Sequence, residues 1–368
     1  VRRAVATVTL AASLGTAPSG AMADGAMTRG LEVALTLPDV ASTGIATTPG
    51  GRLFVLIARI DGSPGPRVVE WRDDGPTPYP DATINDWHAG ADPRKMLVRV
   101  NSMRIGPDGD LWLVDTGSPA IGEPVLPGGA KLVVVDLADN RVRRTIPLDG
   151  VIGRTGFVDD VRFNGDRAYL TDAGNPGLIV LDIASGAGRR VLDGDPSVTA
   201  DRPISAEGRI VHGPDGTPVY VHADQLEVSP DGAWLYFQPV TGPLRRVPTA
   251  LLDDPDAAAS LADHVEIVAD LPPTGGTAIA ADGAIYASDV QSRRIMRVAP
   301  DGTVSTLIED PRLLWVDAMW IDAAGYLWMP AAQLDRTAIF QGGTSAVRFP
   351  TEVFRLPIRT GPAPNDHD

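Results

Sequence analysis

One stretch, Asn101 to Gly117 (NSMRIGPDGDLWLVDTG), recurs in weaker form five more times along the chain, and this repetition constrains the fold more than anything else in the sequence. It runs from a polar residue through a short apolar segment (Met103, Ile105) and a turn at Pro107-Asp108-Gly109 into a second apolar segment, Leu111 to Val114. Proline presets φ for a turn and glycine accepts the left-handed position, so the pattern predicts a hairpin. The copies centre on Gly51, Gly109, Gly165, Gly232, Gly283 and Gly325. Within four residues of each glycine comes an aromatic: Phe54, Trp112, Tyr169, Trp234 with Tyr236, Tyr286 and Trp328. Successive glycines stand 58, 56, 67, 51 and 42 residues apart. A two-strand unit returning every ~40–50 residues or slightly more has the spacing of a β-propeller blade. The expected fold is all-β, a six-bladed β-propeller.

A ring of blades must close. Leu31 to Leu37 alternates apolar and polar residues and reads as a strand, as does Val347 to Ile358 near the other end. We expect Leu31–Leu37 to be the outer strand of the last blade, which removes an exposed edge. The 67-residue gap holds an insertion, Asp193 to Ala223, with its own turn at Gly213 to Gly216. A further turn, Pro300-Asp301-Gly302, is expected to join the outer strands of blade five. Between Pro248 and Leu271 a helical pattern around Ala257 to His264 suggests a surface connector with Asp256 as its N-cap. Residues 24–359 are then a single propeller, followed by a tail, 360–368, expected to be disordered because of Pro362 and Pro364. Residues 1–23 read as an export signal: Arg2-Arg3, a mildly apolar Ala4 to Ala17, and an A-x-A cleavage site at Ala21–Ala23.

Charge and composition narrow the partners. The formal net charge is −15, and −17 once Arg2 and Arg3 are removed, so the surface repels phosphate backbones and nucleic acid is not an expected partner. With no cysteine there is no disulfide, thiolate metal site or cysteine nucleophile. No apolar run is long enough for a membrane span. An exported, soluble monomer acting on a small-molecule ligand or substrate is expected.

Several stretches together resemble the yellow/major royal jelly protein family: Pro78-Tyr79-Pro80 with Asn85, Leu111-Trp112-Leu113-Val114-Asp115-Thr116-Gly117, Arg246 to Leu252 (RVPTALL), and Gly325-Tyr326-Leu327-Trp328. These fall in order within a likeness that runs from about Leu31 to about Ile358. The blade turns are shared with gluconolactonase/senescence-marker propellers. The resemblance implies six blades, in agreement with the repeat count. Insect members usually carry disulfides, so this chain looks like a bacterial branch. Roles in that family are mixed: binding of biogenic amines, conversion of dopachrome, and nutrition.

Aligning the six copies places Thr43, Asn101, Asp159, Asp224, Gly275 and Asp317 at one point, just before each innermost strand, around the mouth of the central channel. Asn101, Asp159, Asp224 and Asp317 form an oxygen-only set suited to a hard cation, calcium first. Gluconolactonase-like propellers and paraoxonases resemble this, holding calcium with such residues, and add a first-blade glutamate where this chain has Thr43-Gly44. The same side chains also read as caps of strand starts. Ser102, Asp160 and Gln225 stand beside them. His212 and His222 flank the insertion's turn and are expected near the mouth, with Trp315 lining a pocket. Trp112, Trp234 and Trp328 follow the blade period and read as core; His88, His264 and His367 suggest no role. A serine hydrolase is excluded for lack of a Gly-x-Ser-x-Gly elbow.

Two functions stay open. In a metal-assisted, lactonase-like hydrolase the cation polarises the ester carbonyl, and His222 or a carboxylate such as Asp160 takes the proton. In a non-catalytic binder of an amine or aromatic ligand, the carboxylates pair with the amine and Trp315 stacks on it. Trp315, His212, Gln225 and Ser102 are the expected ligand contacts in either case.

Overall fold

The computed structural model describes residues 30–368 apart from residues 62, 64, 366 and 368. The expected export signal lies outside the described residues. Six four-stranded antiparallel sheets form the blades of a propeller. Their innermost strands are Ala41–Thr47, Val100–Ile105, Val158–Asn164, Ala223–Val228, Thr274–Ile279 and Trp320–Ile321. Glu32–Leu37 pairs antiparallel with Thr351–Pro357, Glu32 opposite Arg355 and Leu37 opposite Thr351, and is the outer strand of blade six. The ring is thus closed by its own two ends, as expected. The Pro300–Gly302 turn does join the outer strands of blade five.

The structure explains why the repeat has its sequence. In blade two Gly109 has φ of +74°, and the preceding Asp108 accepts a hydrogen bond from the Trp112 indole at 2.9 Å. Blade six repeats the grip, with Trp328 donating to Asp322 at 2.8 Å. Turn and aromatic strand are therefore locked to each other before blades pack. Buried Leu, Val, Ile and aromatic side chains fill the spaces between neighbouring sheets. Trp112 and Trp328 are buried there, whereas Trp234 is half-buried under the Arg246 guanidinium, 4.1 Å from its ring centre.

Two local expectations differ from the structure. The connector after blade four is a short α-helix, Thr249–Asp253, followed by a 3-10 helix, Pro255–His264. Asp254, not Asp256, caps the latter: its side chain accepts the Asp256 N–H, and Pro255 at the first position cannot donate. The tail from Thr360 is not loose where described. Ala363 is buried, Asn365 donates to the Ser229 carbonyl at 2.9 Å, and His367 stacks on Trp320 at 3.6 Å while bonding the Ile321 carbonyl. Ser229 and Ile321 end or follow innermost strands, so the tail crosses the channel at the end opposite the strand starts. His367, which suggested no role, is part of that cover.

Candidate functional site

A shared backbone irregularity builds the channel mouth. In five blades the pairing of the innermost strand slips at its start: between Ser42 and Gly44, Val100 and Ser102, Val158 and Val161, Ala223 and Gln225, and Thr274 and Thr277. A bulge leaves a residue out of the ladder and re-aims its side chain. The slipped positions include Thr43, Asn101, Asp159, Asp224 and Gly275, the residues aligned from sequence. Gly275 holds its place for steric reasons, since a Cβ there would lie 2.4 Å from the Val316 carbonyl oxygen.

These residues floor a cavity of about 400 Å³. Asp159 takes a short hydrogen bond from the Asn101 amide and shares a second with Asp224. Asp317 accepts the Ala318 N–H at 2.8 Å. Asp224 and Asp317 keep part of their surface open to the cavity, yet both sit deep enough for desolvation to dominate. Burial first, then repulsion from Asp224 and Asp160, raises the Asp159 carboxyl well above the usual range. Burial also raises Asp224, to about 7, with repulsion from Asp317 and Asp160 added. Asp317 is raised well above its ordinary value, again chiefly by burial. Among the described residues no cationic side chain stands against any of the three.

One layer deeper the charges are balanced. Asp160 bonds Arg162 at 2.6 Å and Arg104 at 3.2 Å; Arg162 also grips Glu227 through two bonds of 2.8 and 2.9 Å. Thr277 donates to Glu227 at 2.7 Å, and Arg104 reaches the Met319 carbonyl in blade six. This belt ties blades two to six across the channel axis. Although burial opposes it, the two guanidinium groups bring the Asp160 carboxyl down to about 2.

The expected site residues divide accordingly. Asn101, Asp159, Asp224, Asp317, Trp315 and His222 line the cavity. Asp160 is not among the cavity-lining residues; its carboxylate is taken up by Arg104 and Arg162 one layer deeper. Gln225 is buried and crosslinks blades by donating to the Thr274 carbonyl at 2.7 Å; Ser102 is buried beside it. Both lie below the cavity floor. His212 is exposed, bonded to the Ile210 carbonyl and outside the cavity lining. In His222, Nδ1 accepts the Ala200 N–H at 3.1 Å, so the neutral ring carries its proton on Nε2. Burial lowers its pKa, which favours that neutral form. In this tautomer the Nε2–H of His222, a cavity-lining residue, is a hydrogen-bond donor.

Sequence reasoning missed the walls. Val219, Tyr220 and Val221 come from the insertion, Phe157 precedes the third blade's bulge, and Leu334 and Phe340 lie in the loop of blade six between Tyr326–Ala331 and Thr351–Pro357. Trp315 and Phe340 stack with ring centres 6.1 Å apart. Arg59 and Arg99 also face the cavity. Arg99 was findable, standing two residues before Asn101, and the Asp115-Thr116-Gly117 corner explains its fixed position. Buried Asp115 accepts the Val98, Arg99 and Gly117 N–H groups at 2.8–3.0 Å and the Lys131 ammonium at 2.6 Å.

A model of the protein family described as Major royal jelly protein matches residues 99–355. No curated protein matches the sequence. Solved structures share the propeller. A gluconolactonase from Xanthomonas campestris aligns with TM-score 0.52 at 16% identity, covering 89% of this chain and 88% of that one. A luciferin-regenerating enzyme aligns at 0.53 and 12%, covering 92% and 98%. A streptogramin B lyase aligns at 0.50 and 11%, covering 89% and 96%. Likeness at these identities is one of fold.

Proposed function

The chain belongs to the major royal jelly protein family, and from that premise we propose that it binds a small organic amine at the mouth of its channel. The observation that carries this reading is the unbalanced charge of the floor: three deep carboxylates under apolar and aromatic walls, without a cationic side chain. Carboxylates held together away from water repel, and either protons or a cation must relieve them. An ammonium group can donate to the oxygens of Asp224 and Asp317, the two carboxylates that keep part of their surface open to the cavity. Trp315 and Phe340 supply an aromatic wall for the ligand's apolar body. The cavity volume lies within the ~300–1,000 Å³ range of small-molecule sites. His222 Nε2–H adds one donor for an acceptor on the ligand.

Calcium-assisted lactone hydrolysis is the alternative, favoured by the oxygen-only donors. The arrangement present does not suit a metal. Asp159 turns to Asn101 and Asp224 instead of a common centre, and among the described residues no three His, Cys, Asp or Glu side chains converge on one. No step is therefore derived through a metal. Calorimetric titration with tryptamine, in EDTA and in calcium, separates the readings. We expect binding in EDTA, weakened ~10–100-fold in Asp317→Asn, which loses a charge-assisted hydrogen bond of ~1.5–3 kcal/mol. Lactone hydrolysis that requires calcium would move the assignment to the metal. Absence of amine binding in both conditions would refute it.

A further inference from the structure

The cavity has a second charged region, of the opposite sign. Arg99 is only 7% exposed and lines the cavity. Its Nη1 makes one long hydrogen bond, 3.3 Å, to the carbonyl of Arg59. The Arg59 guanidinium in turn reaches the Gly65 carbonyl at 2.6 Å and also borders the cavity. Among the described residues neither guanidinium forms an ion pair. Buried Arg67 close by is different: its side chain is spent on the carbonyls of Asn85, Trp87 and Val98, and it does not line the cavity. Desolvation, with the charge of Arg59 added, pushes Arg99 down to about 10. Two guanidinium groups without an ion-pair partner, turned to one cavity, leave positive charge there that an anion would balance.

The two regions lie on different blades. Arg59 and Arg99 belong to the edges of blades one and two, while Asp159, Asp224 and Asp317 come from blades three, four and six. The apolar side chains of Ile60, Phe157, Val221 and Trp315 line the same cavity. We propose that Arg59 and Arg99 form a carboxylate seat, so that the ligand is an amphoteric, amino-acid-like molecule whose ammonium meets the acidic floor and whose carboxylate meets the arginine pair. This rests on the amine reading above and names the ligand class for that site. A guanidinium fork matches the two oxygens of a carboxylate, which a single point charge would not select.

Three indoles test it: tryptamine (amine only), indole-3-propionate (carboxylate only) and L-tryptophan (both), titrated calorimetrically against the full chain. L-Tryptophan should bind at least ~10-fold more tightly than tryptamine, the value of one charge-assisted hydrogen bond pair. Arg59→Gln and Arg99→Gln should each collapse that ratio toward one. Arg59 is half-buried, so its variant decides the matter if Arg99→Gln fails to fold, as judged by its melting curve. Equal binding of tryptamine and L-tryptophan by the wild type would overturn the carboxylate seat and leave the amine reading standing. Binding of indole-3-propionate without tryptamine, lost in Arg59→Gln, would overturn the amine reading and keep the seat. Binding of none of the three would overturn both.

Discussion

Asp159 and Asp160 are sequence neighbours, buried at the same bulge, yet their carboxyl groups are driven in opposite directions. Asp160 falls to about 2 because Arg104 and Arg162 close on it; Asp159 rises because burial is compounded by neighbouring acids, against which the Asn101 amide works only in part. Burial penalises the charged form of both, so partners alone decide the sign. The belt around Asp160 is a balanced network that holds blades together. The floor around Asp159 is an unbalanced one that must be completed by protons or by something from outside. Balanced and unbalanced buried charges are thus neighbours along the chain.

Stability measurements offer the largest contrast. Asp160→Ala takes from buried Arg104 its carboxylate partner and from Arg162 one of its partners, Glu227 remaining, and should cost about 3–5 kcal/mol, read from chemical denaturation. Asp159→Asn removes a like charge and should leave stability equal or higher. Comparable losses at both positions would erase the distinction between belt and floor.

A pH series sharpens it. Asp160 contributes stability that is present above its unfolded value of about 4 and is lost as pH falls toward 2. Asp224 behaves oppositely: its folded pKa, about 7, exceeds the unfolded value, so its contribution is full below pH ~4 and is lost as pH rises to about 7. Asp224→Asn should therefore stabilise the protein more at pH 7.5 than at pH 5, in melting curves without ligand. An equal effect at both values would show that the floor does not titrate in this window.

The smallest effect concerns the far end of the channel. Truncation after Thr360 removes the stacking of His367 on Trp320 and should cost about 1 kcal/mol. It should leave tryptamine affinity at the mouth unaltered, because the tail covers the opposite end. A change in affinity would mean that the two ends are coupled through the belt.

Much of this was legible in the sequence. Blade number, ring closure and the convergence of Asn101, Asp159, Asp224 and Asp317 followed from one repeat, since hairpin turns and aromatic strands are local signals. The direction of a side chain at a bulge is not local. Asp159 and Asp160 look alike in sequence, and only Arg104 and Arg162, each the fifth residue of the innermost strand of blades two and three, distinguish them. His222 lines the cavity as expected, while its tautomer, which the distant Ala200 amide sets, has no signal in the sequence. The seat at Arg59 and Arg99 went unseen because neither residue belongs to the aligned ring. The tail's two prolines suggested disorder, while its anchors, Ala363 and His367, find their partners only once the ring has formed.

The central claim is that the floor of the mouth holds protons which a cationic ligand replaces. Calorimetric titration of tryptamine at pH 7, repeated in buffers of different ionisation enthalpy, measures the protons exchanged on binding. With Asp224 titrating near pH 7 and Asp159 and Asp317 also raised, binding should release protons to the buffer, on the order of half a proton for Asp224 alone. Heats that do not vary with buffer, or that report proton uptake, would contradict the account.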